Sequence, residues 1–216
     1  MKRLGVTDLL SVSACGSLNE DLPPGAFVRI DQFIDRTVAR QKSFFGSGCV
    51  AHVSMAEPVC NPLGRLSIEA GKAIDLPIHD SGTYLAMEGP QFSPKAEAEL
   101  YRSWGCDVVG MTNMPEAKLA REAEICYASI AMVTDYDCWH SEHGHVEVAD
   151  VIRILQDNAE KARQLVHAVA KRLNERPAAC EQGCDRALEA AIMTAPDKRD
   201  PELVAKLDAV AGRMLG

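Results

Sequence analysis

The sequence has no apolar segment approaching the roughly 18–20 residues that span a bilayer. Its start, Met1-Lys2-Arg3-Leu4-Gly5, lacks the apolar core of a signal peptide. No membrane partner and no export are expected, and the reading is cytoplasmic. Positive charge is scarce: 23 Lys and Arg stand against 31 Asp and Glu, for a net charge of -8 and a pI of about 5.3. No Lys/Arg run exists to release counterions, which argues against nucleic acid as a partner. Internal repeats and low-complexity segments are absent. The eight cysteines show no paired spacing. Cys15, Cys106, Cys126 and Cys138 fall in or beside predicted strands, a setting that suits reduced thiols. Cys180 and Cys184 stand four apart on a predicted helix. That is not a redox C-x-x-C, and with no second ligand pair nearby no zinc site is expected.

What is present fits one α/β domain of 216 residues, 47% hydrophobic and 25% charged. The run from Ile125 to Val133 is apolar, partly β-branched and uninterrupted, the pattern of a strand buried on both faces. Thr134-Asp135-Tyr136-Asp137-Cys138-Trp139 follows it. In open α/β sheets, ligands bind at this end of the strands. On extended backbone Asp135 and Asp137 share a side, near enough to perturb each other's ionisation. The spacing alone leaves two readings open, a solvated turn or a working carboxylate pair. His140, His143 and His145 share one loop without a second ligand group, so no metal is expected there either.

In chain order, Arg3-Leu4-Gly5 reads as a glycine-capped helix end and Val6 to Ser13 as a buried strand. A chain opening on a helix end points to earlier elements outside it. Ser13-Ala14-Cys15-Gly16-Ser17-Leu18 reads as a small-residue turn, either a plain connection or a place for backbone N–H groups to meet an anion. Phe27 to Ile30 is a short strand, and Asp31 to Gly48 a polar loop carrying Arg36, Arg40, Phe44 and Phe45. Val50 to Val53 reads as a strand containing His52, a structural histidine on that reading. Pro62 to Ile74 is a helix. Ile78 to Glu88 is one strand with a bulge at Gly82. Ser93 and Pro94 start a helix with Ala96, Leu100 and Trp104 on one face. Phe92, just before it, is either a core aromatic or a platform for a ligand ring. Asp107 to Gly110 is a strand, and Pro115-Glu116 opens a helix to about Glu124, which places Thr112 near a helix start. Three loops would thus gather at one edge of a parallel sheet. An amphipathic helix carries Val148, Val151, Ile152, Leu155, Ala159, Ala162, Val166, Val169 and Leu173 at 3–4 spacing. Pro177 ends it, and Ala178 to Gly216 reads as two short helices. The whole predicts a mixed, mostly parallel twisted sheet flanked by helices.

Six stretches then occur in a telling order: Ser11 to Leu18, Asp31 to Thr37, Met55 to Pro58, Glu88 to Ser93, Met111-Thr112 with Pro115-Glu116, and Thr134 to Trp139. From Leu4 to about Leu173 the chain resembles the trimeric purine nucleoside phosphorylase family, in its branch acting on S-methyl-5'-thioadenosine. The resemblance implies a nucleoside phosphorylase-like fold and a pentosyltransferase. It would convert methylthioadenosine and inorganic phosphate to adenine and 5-methylthioribose 1-phosphate, in purine and methionine salvage. No metal or organic cofactor is implied, phosphate being a co-substrate, and the assembly implied is a homotrimer. Ser13, Ala14 and Thr112 would contact phosphate, and Met111 the ribose. Phe92 and the Cys15-Gly16 backbone would flank the base. Asp135 and Asp137 would face its N7 and 6-amino edge, with Asp135 catalytic. Val148 and Ile152 would wall the 5'-methylthio pocket, and His52 would approach a neighbouring subunit. Ser93 with Asp135 would separate this branch from 6-oxopurine enzymes, which would carry Glu and Asn there. The family's glycine-rich phosphate loop and Arg-His clamp have no counterpart in these residues. One N-terminally incomplete phosphorylase domain with a helical tail over 177–216 is therefore expected. A 6-oxopurine phosphorylase, or a chain that only binds nucleoside, are the alternatives.

Overall fold

The computed structural model describes residues 1–140, 148–177 and 179–215. Its axis is β7 (Cys126–Asp135), in which every residue but the last is buried. Odd residues such as Tyr127, Ala131 and Val133 pack toward α3 (Glu116–Glu122), with Ala117 and Ala120. Even residues Ile130 and Met132 pack toward α1 (Asn61–Lys72) and α4 (Val148–Arg172), against Leu66, Ile68, Ala162, Leu165 and Val169. A strand covered on both faces has no polar side to show, hence its unbroken apolar run. Full burial of each large aliphatic side chain contributes about 1.5–3 kcal/mol.

The remaining strands are β1 (Asp8–Ser17), β2 (Phe27–Ile30), β3 (Gln32–Asp35), β4 (Ile78–His79), β5 (Thr83–Ala86) and β6 (Val108–Gly110). They form one seven-stranded sheet in the order β3-β5-β6-β1-β7-β2-β4. The pairs β1–β7, β2–β4, β3–β5 and β5–β6 are parallel, while β1–β6 and β2–β7 are antiparallel. The expected mixed, mostly parallel sheet with flanking helices is what forms.

The sheet also curls. Only Asp31 separates β2 from β3, yet these strands lie toward opposite ends of the sheet order; β4 and β5 behave likewise. Where the two chains cross, the Asp31 N–H donates to Gly82 O at 3.2 Å. A Cβ on Gly82 would lie 2.7 Å from Val28 Cγ1, so the crossing requires glycine. Two sequence expectations fail here. The loop from Asp31 contains β3, and the single strand over 78–88 is two strands with different partners.

Other corrections are local. β1 continues through Ser13 to Ser17 in place of a turn, with a register shift between Cys15 and Gly16. Val50 to Val53 contributes only an isolated bridge, Ala51 to Ile192. α2 (Lys95–Ser103) is capped at Pro94, one residue later than expected. It buries Ala98 and Tyr101, leaving the Ala96, Leu100 and Trp104 face outside. On α4 the buried stripe includes Asn158, Ala162, Leu165 and Val169, whereas Ile152, Leu155 and Val166 are exposed. In the tail, the α-helices among the described residues are α5 (Pro201–Lys206) and α6 (Asp208–Leu215), preceded by 3₁₀ turns at Cys184–Arg186 and Pro196–Lys198. The stretch before them folds as turns and packs Leu188 with Phe45, Cys49, Leu207 and Ala211.

Candidate active site

The ends of β1, β6 and β7 and the segment after β5 enclose a cavity of about 260 Å³. β1 contributes Ala14, Cys15 and Gly16, and β7 contributes Thr134 and Asp135, followed by Asp137. Val109 to Thr112 form a third wall, and Met87, Phe92 and Ser93 a fourth. Most of the predicted residues thus converge, though Ser13 does not line the cavity, and they do so by a different geometry from loops on one parallel edge. β6 runs antiparallel to β1, with Gly16 opposite Val109. Continuing that register carries Met111 and Thr112 back alongside Ala14 and Ser13.

The carboxylates are held by a turn rather than extended backbone. Asp137 has φ 52, the left-handed region that Asp tolerates better than most residues. This lets the Asp137 N–H donate to Asp135 Oδ1 at 2.8 Å, while Thr134 Oγ1 donates to Asp135 Oδ2 at 2.7 Å. Both Asp135 oxygens therefore accept bonds from fixed donors. Asp137 is the strained partner. Burial, and then the charge of Asp135, push its carboxyl from 3.8 up to about 6. Asp137 Oδ2 is buried without a protein hydrogen-bond partner among the described residues, and so, on β1, is Ser13 Oγ. Gly16 makes room for the pair: a Cβ there would lie 3.0 Å from Asp135 Oδ1 and 3.3 Å from Asp137 Cβ.

Opposite the carboxylates, Tyr84 and Thr112 share a hydroxyl hydrogen bond of 3.1 Å, and the Thr112 N–H donates to Tyr84 Oη at 3.3 Å. Tyr84 was not predicted. It reaches Thr112 only because residue 110 is glycine, since a Cβ there would sit 2.0 Å from the hydroxyl. The glycine ending β6 was the available signal. Burial pushes the Cys15 thiol, and next the Asp135 charge, well above the usual thiol range, so Cys15 is no nucleophile. Ser93 is buried, with Oγ directed at Met87 Sδ at 3.5 Å. Phe92 sits at the rim, 72% exposed. A second unpredicted residue, Arg40, braces the walls. It donates to Met111 O at 2.9 Å and Glu88 O at 3.0 Å, and pairs with the Glu88 carboxylate at 3.1 Å.

Two expected positions stand apart. His52 is exposed, and its backbone N–H donates to Ala191 O at 2.8 Å. Ile152 is exposed and does not line the cavity. The Val148 side chain, His143 and His145 lie outside the described residues. One premise is corrected as well: Cys180 and Cys184 do have a second pair beside them, because the fold brings Cys60 and Cys126 to them.

A curled mixed sheet with a small-residue strand, a hydroxyl pair and a carboxylate pair around one cavity marks a class, and comparison with known proteins identifies it. The Phosphorylase superfamily matches residues 1–171, and the chain belongs to it. A protein of Cereibacter sphaeroides called S-methyl-5'-thioadenosine phosphorylase is 65% identical over 215 residues, spanning 100% of this chain and 74% of that protein. One of the same name from Rhodospirillum rubrum is 61% identical over 216 residues, again 100% of this chain and 74% of the relative. Among solved structures, a methylthioadenosine phosphorylase from an antarctic soil metagenomic library has a TM-score of 0.89 at 45% identity, covering 97% of this chain and 73% of that one. A Schistosoma mansoni methylthioadenosine phosphorylase in complex with adenine has a TM-score of 0.84 at 33% identity, covering 89% and 75%.

Proposed function

We propose that the protein phosphorolyses S-methyl-5'-thioadenosine to adenine and 5-methylthioribose 1-phosphate. The observation that carries this reading is the Asp135–Asp137 pair, half-buried and buried respectively, lining one cavity in a chain whose relatives bear that activity in their names. As the glycosidic bond breaks, negative charge moves onto the purine and N7 becomes basic. Asp137, pushed up to about 6, keeps a proton in a minority of molecules at neutral pH, and the pair presents that proton to N7 as the charge develops. Its ionised member accepts from the 6-amino group. Ser13, Ala14 and Thr112 position phosphate by hydroxyl and backbone N–H groups, and Met111 lies against the ribose. Bound phosphate then serves as nucleophile and as counter-charge to the cation-like sugar. No metal or organic cofactor enters this chemistry. We place the enzyme in the cytoplasm, in purine and methionine salvage, as a homotrimer whose neighbour approaches the open rim near Phe92.

A 6-oxo group would turn a lone pair toward an ionised carboxylate, and sites built for one hydrogen-bonding pattern reject the other by up to about 10⁴–10⁵. The test is kcat/KM on methylthioadenosine, inosine and guanosine, in the parent and in Asp135→Asn. Methylthioadenosine should be strongly preferred, and the amide should lower its rate at least about 100-fold. Equal rates on inosine, or an unchanged Asp135→Asn, would overturn the assignment. One observation favours a second reading, a nucleoside-binding chain with weak catalysis. None of the described residues lining the cavity carries positive charge for phosphate. Isothermal titration with and without phosphate separates the two, because only the enzyme couples phosphate to nucleoside binding.

A further inference from the structure

At the opposite end of β7 from the carboxylates, Cys60, Cys126, Cys180 and Cys184 are all buried and their sulfur atoms lie within 4.8 Å of one another. Nine residues of strand separate Cys126 from Asp135, about 30 Å at the usual rise, so this cluster has no part in the site above. We propose that it is a structural zinc site in which the four thiolates bind one Zn²⁺ tetrahedrally.

Three observations carry the assignment. Zn–S bonds of about 2.3 Å place tetrahedral ligand sulfurs about 3.8 Å apart; Cys60 Sγ and Cys180 Sγ are 3.8 Å apart. The spacing C-x₃-C falls within the range of zinc-binding pairs. That pair is presented by a tight turn: Gly183 has φ 75 and its N–H donates to Cys180 O at 2.9 Å, so both sulfurs point the same way into the cluster. The third observation is charge. Arg121 is buried, has no carboxylate partner among the described residues, and directs Nη1 to Cys184 Sγ at 3.5 Å. Arg176 directs Nη2 to both Cys60 Sγ and Cys126 Sγ at 3.5 Å, and also pairs with Asp8. A buried guanidinium without an anion is costly. Four neutral thiols, or two disulfides, would leave Arg121 in that state. A zinc tetrathiolate carries two negative charges, and the arginines then act as its outer shell of hydrogen-bond donors. Binding balances as one Zn²⁺ taken up and up to four thiol protons released.

The four ligands lie at a junction. Cys60 precedes α1, Cys126 starts β7, and Cys180 and Cys184 belong to the tail. Gln182 tightens the same junction, accepting from the Asn61 N–H at 2.7 Å and donating to Val59 O at 2.8 Å. Zinc here fastens the tail to the catalytic domain.

The protein purified under reducing conditions, from cells supplied with zinc, should contain about one zinc per chain by mass spectrometry. Exchange with Co²⁺ should give intense thiolate-to-cobalt charge-transfer absorption and the visible bands of tetrahedral cobalt, a readout that needs no variant. Cys180→Ser with Cys184→Ser should lose the metal, and the metal-free protein should melt roughly 5–10 °C lower. Zinc-free protein with four titratable thiols, two disulfides in this cluster, a bound iron instead, or cobalt without tetrahedral bands would each overturn the proposal.

Discussion

Asp137 shows how the active-site arrangement taxes the fold. Its carboxyl titrates near 3.8 when unfolded and about 6 in the native protein. Between these values the folded state binds more protons than the unfolded one, so this residue's contribution to stability declines as pH rises from about 4 to 6 and then levels off. Asp137→Asn removes the decline and keeps a residue that tolerates the left-handed backbone. Above pH 6 the variant should be more stable than the parent by on the order of 1–2 kcal/mol, with no difference near pH 4. Urea unfolding at pH 4.5, 6 and 7.5 checks this, and parallel pH profiles would refute it. Gly16→Ala makes the complementary test. Its methyl group would reach Asp135 Oδ1 at 3.0 Å and move the pair by a few tenths of an ångström. A loss of about 10–100-fold in kcat/KM is expected with little change in melting temperature, since small displacements at reacting groups are expensive in rate.

At the scale of elements, the site depends on two irregular connections meeting around one side chain. Arg40 joins the segment after β5, through Glu88, to the segment after β6, through Met111. The Glu88 carboxylate also accepts from the Ala39 N–H at 3.0 Å, which fixes the loop carrying Arg40. Arg40→Ala should destabilise the protein by about 2–4 kcal/mol, because several carbonyl acceptors lose a charged donor together. It should also raise KM for nucleoside by loosening the Met111 wall. Arg40→Lys should rescue little, since a single ammonium cannot span acceptors on two loops. Equal KM values in parent, alanine and lysine forms would show that Arg40 does not position that wall.

At the scale of the molecule, assembly is the open rim's counterpart. Phe92, at the cavity rim, is 72% exposed, and Val38 and Phe44 are 84% and 40% exposed. Phe45 is buried under the tail, so of Phe44 and Phe45 only Phe44 is available to a neighbour. Light scattering should give three chains per particle, and Phe92→Ser should weaken assembly and raise KM together. A well-folded, fully active monomer would remove the trimer from this account.

The sequence by itself determined what depends on neighbours along the chain. The apolar run leading to Asp135 declared a doubly buried strand and the 3–4 spacing after Val148 a long helix, because periodicity and residue type act locally; for Asp135 and Asp137 the spacing left a solvated turn and a working pair both open. Only the tertiary structure decided which elements meet. Gly82 and Asp31 look like ordinary loop residues until the sheet curls through them. Tyr84 gains its place from a missing side chain at Gly110, and Asp137 its proton from burial. The four cysteines are uninformative in sequence, with Cys60 and Cys180 lying 120 residues apart. Their ordering is enforced by packing of α1, β7 and the tail, and packing is a property of partners that no local pattern specifies.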